Sequence, residues 1–391
     1  MHARLWLLLT AALFGMVASP LPTWGTRTVA FGGPMVVATI PVGHFPESLA
    51  VNPTTNRIYV ANYQGDDVSV VDGNTNTVVA TVPVGDGPEG VAVDPTTNLV
   101  YVSNYWSGSV SVIDGATNVV LTAVGVGQLP RGVAVNSATR RVYVSNSGSN
   151  NVSVINADTK TVLTTVTVGD GPLYIALNPE TNRVYVPNDF TDDVSVIDGD
   201  TNTVVATVPV GWGPWGVGVN AARNRVYVSN VLDNNVSIID GETNAVLTTI
   251  STGERPRQIA VNTYTNRVYV PNENSVDLAV IDGQTDTVVA TVPVGNKPAG
   301  VAANPVTNRV YVSNYADETV SVIYDTGPAV GGIAELPDLA ATSADDAAVS
   351  TGSSGWSGSS YAALGGGLAS ALIVVSSGAW YARRRWLRPR A

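Results

Sequence analysis

Glu47 and Glu89 stand 42 residues apart, at the same place in two consecutive copies of one repeated word. Two carboxylates brought to one spot can hold calcium or magnesium through oxygen ligands, with Asp86 as a third. The same pair could serve an exported metal-dependent hydrolase or lyase as acid and base. The equivalent place in later copies holds Arg131 and Arg257. Those cations would neutralise the carboxylates, which is the ordinary structural explanation for such a set.

Other chemistries narrow quickly. The chain has 391 residues and no cysteine, so thiol catalysis, disulfides and cysteine-ligated metal are excluded. Its histidines are His2 and His44, and only His44 lies outside the leader-like N-terminus, so a histidine triad has one candidate member. A GxSxG elbow is absent, and the paired aspartates at 66–67 and 192–193 lack the spacing of an EF-hand loop. No catalytic residue is assigned. A formal charge of -11 argues against nucleic acid as a partner.

A second set of residues suits recognition. Tyr63, Tyr105, Trp106, Tyr174, Phe190, Trp212, Trp215 and Arg257 are the candidate ligand-binding residues. Aromatic rings beside hydrogen-bonding groups are what a protein or carbohydrate surface is gripped by.

What must position these residues is the repeat. Glycines 43, 85, 127, 169, 211, 253 and 295 recur every 42 residues, each followed by a proline three residues on, a tyrosine sixteen on and an asparagine nineteen on. A fixed period near 40 predicts a solenoid or a propeller. Each unit holds four short runs of alternating valine, isoleucine and tyrosine between turn residues, such as GVAVD, NLVYVSN, SVSVIDG and NVVLTAVGV. These are strands, not helices. The seventh unit lacks its fourth strand, and residues 35–42, MVVATIPV, match that missing strand. The fold class expected is therefore all-β: a seven-bladed β-propeller with four-stranded blades, closed by an N-terminal strand completing the last blade. In such a blade the link into the inner strand and the link between second and third strands emerge on one face. The units differ from one another there, and the aromatic candidates lie on those links. The opposite face carries uniform turns such as NPTTN and DGNTN. Small residues at Ala50 and its counterparts suit the crowded inner strand.

The words RVYVSN, RVYVPN and RIYVAN, with VSVIDG and TVVATVPVG, resemble the YVTN family of β-propeller repeats across residues 35–324. The resemblance implies an exported or surface-layer propeller of bacterial or archaeal type, without implying one activity. Related seven-bladed folds include lactonases and streptogramin-type lyases, and the latter would need a histidine and a glutamate near the axis. Only His44, with Glu47 and Glu89, could supply them.

The ends give the expected setting. Residues 1–19 read as a signal peptide, 325–360 as a flexible stalk of small and polar residues, 361–382 as a transmembrane helix, and 383–391 as a basic cytoplasmic tail. The expected location is the cell membrane, single-pass, with the propeller outside the cytoplasm. The overall reading is a non-catalytic cell-surface or envelope-structural propeller whose variable face recognises an envelope protein or carbohydrate. It needs no cofactor, calcium at Glu47, Glu89 and Asp86 being the one considered.

Overall fold

Valine-rich strands separated by four-residue turns can only bury both faces by stacking sheet on sheet, and the chain does so seven times. The structure, a computed structural model, describes residues 33–327. They form seven four-stranded antiparallel sheets and one 3-10 turn at Ala221–Arg223. The first blade is typical, running from the inner strand Pro46–Asn52 through Arg57–Asn62 and Asp67–Asp72 to the outer strand Thr77–Pro83. In the last blade the outer strand is Met35–Pro41, paired antiparallel with Thr319–Tyr324 so that Met35 faces Tyr324 and Pro41 faces Thr319. The described chain is a closed seven-bladed β-propeller.

Its core is not one cluster but seven, each between neighbouring blades. One blade contributes its tyrosine and third-strand valines, and the next its second-strand valines and an isoleucine, as in Tyr59, Val68 and Val70 against Val100, Val102 and Ile113. The seam between last and first blades has the same composition, with Ile40, Tyr311, Val320 and Val322 against Leu49, Ile58 and Val60. All seven tyrosines are fully buried.

The repeated glycine and asparagine explain each other. Asn62 Nδ2 donates to Asp67 Oδ1 at 2.6 Å and to Ser69 Oγ at 2.9 Å, tying the second strand to the third. The other six asparagines make the same span to the residue five positions on. A Cβ on any of the seven repeat glycines would fall on that asparagine's amide. Glycine is therefore the residue that lets the link into the next blade lie over the amide.

The uniform face has a ring of its own. Asn52 Nδ2 donates to Asn98 Oδ1 of the next blade at 2.7 Å, and five other blade junctions repeat this amide link, including Asn304 to Asn56 across the closure at 2.9 Å. Between the second and third blades Arg140 Nη1 donates to Asp94 Oδ2 at 2.6 Å instead.

Two boundaries differ from the sequence expectation. The tightest approach of the inner strands is at Gly90, Gly132, Gly216 and Gly300, where a Cβ would strike the neighbouring blade's backbone. That is two residues before the alanine positions where crowding was expected. Asp325, expected to begin the stalk, is instead fully buried and bound by Arg267 Nη1 and the Tyr269 hydroxyl. It stands where five other blades have a turn glycine and the third has Ala157, so the blade extends past Tyr324. The expected signal peptide, transmembrane helix and basic tail lie outside the described residues, as does the stalk beyond Gly327. Among the described residues no helix is long and apolar enough to cross a membrane.

Candidate functional site

The inner strand begins at the repeat proline in five blades, and in the fourth and sixth, where it begins at Ala176 and Ala260, that proline still bridges the repeat asparagine, so the next residue is the first side chain presented where the chain enters from the variable face. Glu47, Glu89, Arg131 and Arg257 share this position in four blades, and the structure brings them into one network. Arg131 Nη1 pairs with Glu89 Oε1, and Arg257 Nη2 lies 3.3 Å from Glu47 Oε1. The Tyr174 hydroxyl donates to Glu47 Oε1 at 3.4 Å. Arg257 also reaches Glu273 at 3.7 Å, and Arg255 reaches it at 3.1 Å.

Trp215, from the fifth blade, lies between the two cations. The Arg257 guanidinium is 4.0 Å from its ring centroid and that of Arg131 is 5.7 Å away. Arg131 further covers Tyr105 at 4.8 Å. Stacking of this kind suits a planar, weakly hydrated guanidinium that also holds a carboxylate.

Burial dominates the electrostatics. It pushes the Glu89 carboxyl up to about 7, against the opposing pull of Arg131, and nearby Glu47 adds to the rise. Burial likewise raises Tyr174 well above the usual phenol range and Tyr63 to about 12. The arrangement is thus a sealed, internally compensated ion network.

Asp86 does not join it. Its side chain is exposed while its backbone amide donates to Ser107 Oγ at 2.8 Å, because the tight link into the inner strand turns residue 86 outward. Among the described residues no group of three His, Cys, Asp or Glu side chains gathers as a metal ion would require. His44 Nδ1 bonds Glu318 Oε1 at 2.9 Å on the exposed surface, where that bond raises its pKa, and the contact does not include the buried glutamates.

The aromatic candidates divide by depth. Tyr105, Tyr174 and Trp215 are buried, with Leu173 and Val231 packed against the last two as a small apolar cluster. The seven inner strands crowd these links and draw the three rings under the surface. Tyr63 and Phe190 are half-buried. Trp106 and Trp212 stand out at 63% and 59% exposed. Trp106 meets Tyr105 edge to face at 4.7 Å.

Beside the network lies a cleft of about 160 Å³, lined by residues of the second, third and fourth blades that include Tyr105, Arg131, Ser147, Asp189 and Phe190. It exists because the repeat loses side chains there. One residue beyond the repeat asparagine come Tyr63, Tyr105, Asp189, Val231, Glu273 and Tyr315 in six blades, but Ser147 followed by Gly148 in the third. Gly171 forms another wall at φ 68°, with the Phe190 ring against its Cα hydrogens. Gln128, Ser147 and Asp189 were not among the sequence-selected residues. The usable signal was the small residue interrupting a bulky series.

No protein-family model matches the sequence, and no curated protein matches it. Among solved structures, a chain of the Kuenenia stuttgartiensis hydrazine synthase superposes with a TM-score of 0.66 at 22% identity, covering 72% of this chain and 96% of that one. The likeness is one of fold. Both chains are β-propellers.

Proposed function

We propose that this chain is a non-catalytic recognition propeller of the YVTN-repeat type, held at the cell surface by a C-terminal membrane helix and binding an envelope protein or carbohydrate through its variable face. The observation that carries the reading is the pair of tryptophans, Trp106 and Trp212, more than half exposed on links that are hydrogen-bonded to one another, the Trp106 amide to the Asp86 carbonyl and the Leu232 amide to the Trp212 carbonyl. Large rings held rigidly in water lose little entropy on docking and commonly dominate an interface. Catalysis and calcium binding at Glu47 and Glu89 form the weaker reading, because both carboxylates are already matched by arginines.

The test is a screen of the full-length chain against envelope glycans and secreted proteins, with and without calcium, followed by substitution. Trp106→Ala and Trp212→Ala should each weaken binding by about 1–3 kcal/mol and leave the melting transition unchanged. Trp215→Ala should instead lower stability, by about 3 kcal/mol or more, since it removes a buried ring. Unaltered binding in both surface variants would defeat the reading.

A further inference from the structure

The cleft beside the ion network is better defined chemically than the face around it. Two of its linings are aromatic, Tyr105 and Phe190, and Gln128, Ser147 and Asp189 add an amide, a hydroxyl and a carboxylate. Asp189 is only 2% exposed, so little of it meets open solvent. The half-buried Phe190 ring can meet the C–H surface of a sugar ring, Tyr105 being covered by Arg131, while amide and hydroxyl groups exchange hydrogen bonds with its hydroxyls.

Charge and size narrow the class. Arg131 lines the cleft but is matched by Glu89 and stacked on Tyr105, which leaves no surplus positive charge for an anion. The volume of about 160 Å³ is well below the roughly 300–1,000 Å³ of sites that enclose drug-sized ligands, so one ring fits and an extended oligosaccharide does not. We infer that the cleft between Tyr105 and Phe190 binds a single neutral pyranose ring, the terminal residue of a surface glycan. This deepens the proposed recognition role and rests on it.

The repeat itself supplies the decisive variant. Ser147→Tyr installs the residue that the first, second and seventh blades carry at this position, so the fold already tolerates it. The added ring would fill the cleft. The full-length chain would be titrated with methyl hexopyranosides, with the corresponding hexuronosides and with hexosaminides, following saturation-transfer NMR and tryptophan fluorescence.

At least one neutral methyl hexopyranoside should bind saturably, with the charged glycosides weaker. Ser147→Tyr should reduce that affinity tenfold or more at an unchanged melting temperature, and Gln128→Ala should reduce it severalfold. Equal binding by Ser147→Tyr, preference for a charged glycoside, or no saturable binding of any neutral one would overturn the assignment. If a glycan or protein partner depended on Trp106 and Trp212 but ignored Ser147→Tyr, the cleft assignment would fail while face recognition survived. Indifference to all three substitutions would sink both.

Discussion

A carboxyl group sealed beneath two stacked arginines must exchange hydration for partners, and Glu89 shows what that exchange leaves. Its desolvation outweighs the ion pair with Arg131 and holds the folded-state pKa near 7, above the ordinary glutamate value. A raised carboxyl pKa means that the folded chain retains a proton the unfolded chain gives up. Stability from this group is complete below about pH 4.5 and declines as pH rises through 7. Glu89→Gln should remove that slope. Urea unfolding at pH 5, 6, 7 and 8 should show the wild type losing about 3 kcal/mol relative to the variant across the window, whereas parallel profiles would contradict the assignment. Sequence placed Glu47, Glu89, Arg131 and Arg257 on one ring and foresaw their mutual neutralisation. It did not reveal that Tyr174 and Trp215 would be drawn under the surface with them, because depth depends on how far each link is pulled toward the axis. That is set by contacts between blades, which no single repeat displays.

Strands and turns were the most legible level, since alternation and a 42-residue period specify them directly. Less legible was what the polar repeat letters do. The asparagine nineteen residues after each glycine ends its strand, where local turn backbone is an ordinary partner, yet its amide reaches across to the third strand. The outer strands hold a further regularity. Each carries a β-bulge, and the extra residue is always aliphatic and about half exposed, as at Val79 (48%) and Leu163 (52%). Bulges break the straight edge that would otherwise recruit another strand, and these edges have no charged residue to do so. The junction of the second and third blades offers a compensated exchange. Burial pushes the Asp94 carboxyl up, but hydrogen bonds from Ser137, Thr97 and the Thr96 amide, with Arg140, together hold it below the usual carboxylate range. Asp94→Asn alone turns an amide donor toward Arg140 and should cost about 2 kcal/mol. Adding Arg140→Asn rebuilds the amide link found at the other six junctions and should recover most of that loss. A double-mutant cycle in urea checks the coupling, and additive effects would refute it.

A ring differs from an open stack because its first and last units must share an interface, and here that interface is made three times over. The outer strand Met35–Pro41 pairs with Thr319–Tyr324, Ile40 packs in the core between the end blades, and Arg309 reaches the Gly73 carbonyl across the seam. The seam uses the same parts as every other junction, so closure is a copy of the repeat contact and not a special latch. What is particular to it is sequence separation. The pairing joins opposite ends of the propeller, so it forms only after a long loop closes, and the entropy lost in that closure makes it the natural place for opening to begin. The absence of cysteine permits a direct test. Thr39 and Ser321 are cross-strand partners, and the double variant Thr39→Cys, Ser321→Cys should oxidise to one disulfide, visible as faster migration without reductant. Bridging so long a loop should stabilise the oxidised form by roughly 4 kcal/mol over the reduced form, raising the melting temperature reversibly on oxidation. The complementary deletion of residues 35–42 should expose a strand edge and the apolar seam, and cooperative unfolding should give way to aggregation. A deletion variant that stayed monomeric and equally stable, or a cysteine pair that remained reduced under oxidant, would show that the N-terminal strand does not close the ring.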